Sequence, residues 1–258
     1  MLQDKIKKTL EGLEGECSII IHDLKDDEKV FINEDKIYPA ASIIKLWILW
    51  KLYKEAEKGK INLNQEIILK DENKAPGFGV IQYLHAGLNL SIKDLATLMI
   101  ILSDNTATNI LINILGMEHI NEEIKQLGMN DTVLQRKMMD LEAKAKGLDN
   151  FTSAKDTYMI LKNMAESKDM LSDSRKEMID ILLKQQCNNK LPLLMPVGIK
   201  FAHKTGDLPS VEHDAGILYI NDREVIVVVM MSNLKNNLEG IKTHNTLGSI
   251  IYDYFSSK

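Results

Sequence analysis

The sequence predicts an α/β fold of the α+β kind, one sheet built from both chain ends and packed against helices, with a helical lobe inserted between. Three observations predict it. Two β-rich runs lie near the N-terminus and three near the C-terminus. The chain between them follows helical spacing. Polar turn residues separate the runs within each group, as hairpins require. The expected organisation is a single domain over residues 1–258. Residues 1–38 and 190–258 form its α/β part and residues 39–189 its mainly helical part.

Each element has its own signal. Leu2, Ile6, Leu10 and Leu13 recur at helical spacing, and Gly12 and Gly15 end that helix. Ser18–His22 and Val30–Asn33 are β-rich around the polar turn 23–29. After Pro39, residues 40–57 read as a long helix containing Trp47 and Trp50. Residues 75–79 (APGFG) are a loop. Residues 91–125 are helical, with breaks near 103–105 and at Gly116. Residues 132–135 are at most a short extended piece, and 136–151 is a long polar stretch without a period. Residues 153–168 and 172–186 read as helices, each with a serine at the N-cap position. Residues 198–205, 215–220 and 224–231 are strands, the last two joined by Asn221-Asp222, and 237–255 is the closing helix.

Composition narrows the function classes. Charged residues are 27% of the 258 and the hydrophobic set 45%, the balance of a soluble globular protein. The net charge of −5 excludes nucleic-acid binding through bulk charge and argues against a polybasic membrane anchor. No segment approaches the roughly 18 apolar residues of a membrane span. The N-terminus has lysines but no apolar stretch, so a cytoplasmic location is expected unless an export signal has been removed. A monomer is expected. Two cysteines are too few for a disulfide scaffold, and Cys17 reads as a small buried hydrophobe. The six histidines show no zinc-type pairing, and no metal or organic cofactor is implied.

Chemistry enters through three short motifs. In Ser42-Ile43-Ile44-Lys45, the serine and lysine share one helix face a turn apart. A serine hydroxyl needs a base to become a nucleophile, and a lysine serves only if burial or a neighbouring cation lowers its pKa. Alone this pattern is weak, since it occurs by chance about once in such a chain. A second copy, Ser232 to Lys235, reads as surface loop. Ser103-Asp104-Asn105 and Lys204-Thr205-Gly206 are more specific, each expected in well under ~0.1 of such chains. Together they add a second hydroxyl, an amide and a second cation: a proton shuttle, a substrate clamp and a positive field.

In this order and at these intervals, SIIK, SDN and KTG resemble the motifs of penicillin-recognising serine enzymes, most closely class A β-lactamases. The segment SDNTATNIL is similar to the helix after that family's second motif. The resemblance covers nearly the whole chain. It implies a five-stranded antiparallel sheet with helices on both faces, an all-α lobe, and an active site between the two. It implies Ser42 as nucleophile, Lys45 as a base in acylation and Ser103 as proton relay to the departing nitrogen. Asn105 would contact the substrate amide, Lys204 and Thr205 the substrate carboxylate, with Gly206 closing the motif. The backbone N–H groups of Ser42 and Asp207 would form the oxyanion hole. Asp104 reads as structural.

Two departures stand out. The family deacylates with a glutamate in the pattern R-x-E-x-x-L-N. Here Arg136 opens the loop and Leu141 matches, but Met138 occupies the glutamate position and Glu142 that of the Asn. A thioether cannot take a proton from water, so slow deacylation is expected. Asp140 and Glu142 are the candidate substitute bases, or merely solvated loop charges; Glu166 belongs to a later helix. The family's usual arginine after KTG is also missing. His213 is the candidate replacement partner for a carboxylate, or a strand-end residue. The leading expectation is a serine hydrolase opening β-lactams through acyl-Ser42. The alternatives are a D-Ala-D-Ala peptidase or esterase acting on an acyl-peptide or ester, and a penicillin-binding sensor that acylates and stalls.

Overall fold

The computed structural model describes residues 1–258. Helix α1 (Leu2–Leu10) precedes a hairpin of β1 (Glu16–Asp23) and β2 (Lys29–Ile32). Strand β3 (Ile37–Pro39) leads through a 3₁₀ turn, Ala41–Ile44, into α2 (Lys45–Glu57). Strands β4 (Glu66–Ile68) and β5 (Asn89–Ser91) pair across a long excursion. Helices α3 (Ile92–Ile101), α4 (Asn105–Leu115) and α5 (Met117–Gln126) follow, then the short α6 (Leu141–Ala145) and β6 (Phe151–Ser153). Helices α7 (Ala154–Glu166) and α8 (Ser172–Leu182) return the chain to β7 (Lys200–Leu208), β8 (Val211–Ile220), β9 (Arg223–Ser232) and the closing α9 (Asn237–Ser256).

The main sheet has five strands in the order β2-β1-β9-β8-β7, every pair antiparallel. The N-terminal hairpin therefore joins the last strand, with Ile20 opposite Val228. Alternation sorts the side chains. Ile19, Ile21, Val227 and Val229 meet Leu2 and Ile6 of α1 and Leu247, Ile251 and Phe255 of α9. Ile20, Val228 and Met230 turn the other way, into the core shared with α2, α7 and α8. Each such aliphatic side chain contributes about 1.5–3 kcal/mol on burial. No helix is long and apolar enough to cross a membrane.

Helix α2 is buried on all sides from Lys45 to Tyr53, as a helix apolar around its circumference must be. Its polar atoms find partners: Trp50 Nε1 donates to Glu123 at 3.2 Å, and Lys51 pairs with Glu55 and Glu123. That rigid helix fixes the position of the SIIK segment at its start.

The structure differs from the sequence expectation in four places. The KTG triplet lies inside β7 rather than at its end, because the polar run to Asp207 hides the strand from a periodicity reading. Strand β8 likewise begins at Val211, so residues 208–211 are a hairpin turn and Glu212-His213-Asp214 are buried within a strand. Helix α8 starts after Leu171, and Ser172 makes no capping bond, whereas Ser153 caps α7 by accepting from Asp156 N at 3.1 Å. The polar stretch 136–151 contains α6 and runs into β6, which pairs with β3.

Candidate active site

The three motifs meet between the sheet and the helical lobe. Ser42 stands on the 3₁₀ turn ahead of α2, Ser103 on the break between α3 and α4, and Lys204 on β7. Ser103 Oγ donates to Ser42 Oγ at 2.8 Å. It accepts from Lys45 Nζ at 3.0 Å and from Lys204 Nζ at 3.2 Å. Lys45 also donates to Ser103 O at 2.7 Å and to Asn105 Oδ1 at 3.2 Å, which uses its three protons. Lys204 donates to Thr205 O at 2.9 Å.

Both lysines are wholly buried. Burial, reinforced by the charge of Lys204, holds the Lys45 ammonium well below the usual lysine range. Burial brings Lys204 down to about 8, despite nearby acidic groups including Asp207. One lysine is thus tuned towards a base, while the other keeps its charge near neutral pH.

Local strain concentrates here. Ala41, Ser103 and Met139 have φ of 47°, 53° and 61°, a left-handed region costing about 1–3 kcal/mol for such residues. Of the non-glycine residues with positive φ, only Ser210 is otherwise neither Asn nor Asp. Gly206 lets β7 approach the turn that carries Ser42. A Cβ there would lie 3.2 Å from both Ala41 Cβ and Ile43 Cγ1.

Asp104 is structural. Its Oδ1 caps α4 through Ala107 N at 2.9 Å, and its Oδ2 accepts from Val80 N and Ile81 N at 2.7 and 2.9 Å. It thereby pins the APGFG loop to the start of α4, where the Asn105 amide also donates to Pro76 O at 2.9 Å.

A cavity of about 80 Å³ opens beside Ser42, lined also by Asn105, Asp207, Phe78, Met138, Met139 and Leu208. Its floor is the 136–150 loop. The neck of that loop is tied by Arg136, whose guanidinium holds Asp149 at 2.7 Å, and by Asn150, which accepts from Gln135 N and Arg136 N at 2.8 and 3.1 Å.

The sequence comparisons fit this geometry. A model of the beta-lactamase enzyme family matches residues 1–255. The chain belongs to that family. Extended-spectrum beta-lactamase PER-1 of Pseudomonas aeruginosa is 22% identical over 96% of this chain and 83% of its own. A beta-lactamase of Bacillus subtilis is 24% identical over 82% and 69%. Among solved structures, a beta-lactamase of Sphaerobacter thermophilus superposes with TM-score 0.91 at 28% identity, covering 99% of this chain and 97% of its own. PBP-A does so with TM-score 0.90 at 26% identity, covering 100% and 96%.

Met138 is 9% exposed, and its backbone is clamped by Asn109, which accepts from Met138 N at 2.8 Å and donates to Met138 O at 3.0 Å. Of the sequence-predicted loop residues, Arg136 and Met138 line the cavity; Asp140 and Glu142 do not. Asp140 caps α6 through Ala143 N at 2.9 Å, and Glu142 is exposed on that helix. The loop carboxylate at the cavity is Asp149, which the sequence reading passed over, and Arg136 engages it.

His213 is not a carboxylate partner. It is wholly buried, its Nε2–H donates to Pro39 O at 2.9 Å, and its Nδ1 accepts from Met231 N at 3.2 Å. Burial lowers its pKa to about 4, so the ring is neutral. The cation beneath this part of β7 and β8 is Lys190, which no motif or period distinguishes in the sequence. The second Ser-x-x-Lys copy is peripheral: Ser232 donates to Glu16, and Lys235 pairs with Glu14 at the surface.

Proposed function

We propose that this β-lactamase-family protein opens β-lactam rings through an acyl-Ser42 intermediate that clears slowly. The observation that carries the reading is the single hydroxyl of Ser103 joining Ser42 to two buried lysines. Once Lys45 is neutral, the Ser103 hydroxyl turns to donate to its lone pair and to accept from Ser42; Lys45 then takes the Ser103 proton, Ser103 takes that of Ser42, and Ser42 Oγ attacks the lactam carbonyl. The backbone N–H groups of Ser42 and Asp207 hold the oxyanion, as the family resemblance implies. When the C–N bond breaks, the proton returns through Ser103 to the departing nitrogen. Charged Lys204 and the Thr205 hydroxyl take the substrate carboxylate. Thr205 Oγ1 is buried without a hydrogen-bond partner, and an unpaired buried hydroxyl suits a ligand acceptor.

Release of the acyl group needs a water and a base. Met138 supplies none, and the cavity's two carboxylates are held by cations, Asp149 by Arg136 and Asp207 by Lys190. A PBP-A variant, 25% identical over the whole chain with TM-score 0.89, is an acyl-enzyme complex with penicillin G, which makes that donor the natural probe. Intact-mass spectrometry during incubation with excess benzylpenicillin tests the proposal. An adduct on Ser42 that forms quickly and clears over minutes to hours is expected. Rapid clearance contradicts the slow step. A permanent adduct favours a sensor that acylates once. No adduct overturns the β-lactam reading, and an ester and acyl-D-Ala-D-Ala panel then identifies the acyl donor.

A further inference from the structure

Lys190 is wholly buried beneath the β7–β8 hairpin. Its Nζ donates to Gly206 O and His213 O, both at 3.0 Å. It also lies 2.8 Å from Asp207 Oδ1 and 2.6 Å from Glu212 Oε2. The carbonyls take two of its three N–H groups, and both carboxylates lie within ion-pair distance of the same ammonium. One ammonium is therefore shared between two carboxylates and two backbone carbonyls.

The carboxylates are not equivalent. Glu212 is buried, and its other oxygen accepts from Asn237 Nδ2 at 2.7 Å. Asp207 keeps a third of its side chain exposed and lines the cavity beside Ser42. An acidic side chain thus stands at the mouth of the site, next in sequence to the Lys204-Thr205-Gly206 segment that would receive a substrate carboxylate. A substrate carboxylate received there would be repelled by Asp207 unless a cation lies between or behind them. The imidazole of His213 on the same hairpin is neutral and spent on backbone groups.

We propose that Lys190 and Asp207 form a charge gate that sets the enzyme's selectivity between anionic and neutral acyl donors. Lys190 acts as a positioning residue: it never touches substrate, but it screens Asp207 and holds the Gly206 carbonyl so that β7 keeps its course past Ser42. The screening is partial, because Glu212 competes for the same ammonium. The gate rests on the acyl-Ser42 reading for its substrates.

The test is a ratio. Acylation rates are measured for benzylpenicillin and for its uncharged methyl ester, by mass spectrometry of the adduct. Lys190→Met is expected to lower the anionic-to-neutral ratio at least tenfold. Lys190→Arg keeps the charge and holds the ratio near that of the unaltered enzyme. Asp207→Asn added to Lys190→Met restores the ratio, and Asp207→Asn alone raises it. The last measurement stands even if Lys190→Met fails to fold. A purely structural role for Lys190 slows both donors alike; an unchanged ratio in Lys190→Met and in Asp207→Asn overturns the gate. If the unaltered enzyme forms no adduct with either penicillin, the acyl-enzyme reading fails separately. The same ratio is then read from the affinities of 3-carboxyphenylboronic and phenylboronic acid, which bond reversibly to a reactive serine.

Discussion

Ser103 Oγ lies 2.8 Å from Ser42 Oγ and receives both buried ammoniums, so Ser42 meets Lys45 and Lys204 through one shared hydroxyl. Lys45 makes no direct hydrogen bond to Ser42, its protons going to Ser103 and Asn105. On the acyl-Ser42 reading, proton transfer during acylation then depends on Ser103. Positioned proton transfer contributes roughly 10²–10⁴ in rate. Ser103→Ala is expected to slow acylation by benzylpenicillin about 10²-fold or more, with the protein still folded by circular dichroism. A loss of less than about threefold would show that Lys45 reaches Ser42 without the relay.

The two lysines give acylation a pH profile. Lys45 must be neutral to take a proton, and its pKa is held low by burial and by Lys204. Lys204 must be charged to hold a carboxylate, and its pKa lies at about 8. The rate therefore rises as Lys45 deprotonates and falls as pH passes about 8. Lys204→Arg keeps its charge to much higher pH, so the alkaline limb should move up or vanish. The profile of adduct formation between pH 5 and 10 decides it. An alkaline limb unmoved by Lys204→Arg would assign that limb to another group.

Much of the site was legible because it is written in contiguous triplets. SIIK, SDN and KTG each name a cluster whose members are sequence neighbours, and the structure brings Ser42, Lys45, Ser103, Asn105 and Lys204 together. The β-rich runs likewise mark the strands: β1 and β9 are buried almost throughout because both faces are covered, Ile20 and Val228 facing one core and Ile19 and Val229 the other. What stayed hidden are single polar residues whose partners are distant. Lys190 meets Asp207 and Glu212 only after β7 and β8 have paired. Asn150 closes the loop on Gln135 and Arg136, and Asp149 lies at the cavity through the same closure. Period-based reading also fails where polar residues are buried, which is why Glu212 to Asp214 escaped notice as strand.

Asn150 offers a stability test of that loop. Its carboxamide oxygen serves two backbone N–H groups, and its Nδ2 donates to Arg136 O at 3.1 Å. Truncation leaves partly buried backbone groups unpaired, at about 1–3 kcal/mol each. Asn150→Ala should lower the thermal midpoint by several degrees, and more than Glu142→Ala on exposed α6. Equal midpoints for the two variants would mean that the neck is not what holds the loop.

Acid should destabilise the fold through two buried imidazoles. His213 and His244 are both wholly buried, with pKa values lowered to about 4 from the ordinary 6.5. The unfolded chain binds protons at these sites from about pH 6.5 downwards, whereas the native one does not until about pH 4. Stability is therefore full above about pH 6.5 and is lost as pH falls towards 4, by roughly 2–3 kcal/mol for each ring. Urea midpoints at pH 7, 6, 5 and 4.5 should fall progressively. His213→Asn should flatten the curve, and a slope unchanged by that variant would remove His213 from the account.

On the acyl-Ser42 reading, the identity of residue 138 is expected to set the lifetime of the adduct. The Asn109 clamp fixes the N–H and the C=O of residue 138 at 2.8 and 3.0 Å, independently of the side chain. A glutamate at this position would thus start where the methionine does, at the wall of the 80 Å³ cavity that holds Ser42. That space admits a water, given polar partners. The apolar side chains of Met139, Phe78 and Leu208 along the same wall would raise a carboxyl's pKa, which strengthens it as a base once ionised. Met138→Glu should leave acylation largely intact and shorten the adduct's lifetime by about 10²-fold, within the range of general-base catalysis. Met138→Gln has the same length and polarity but cannot take the proton, so its adduct should persist. If the glutamate and glutamine variants clear at the same rate, a general base at position 138 is not the missing element, and Asp149 freed from Arg136 becomes the group to test.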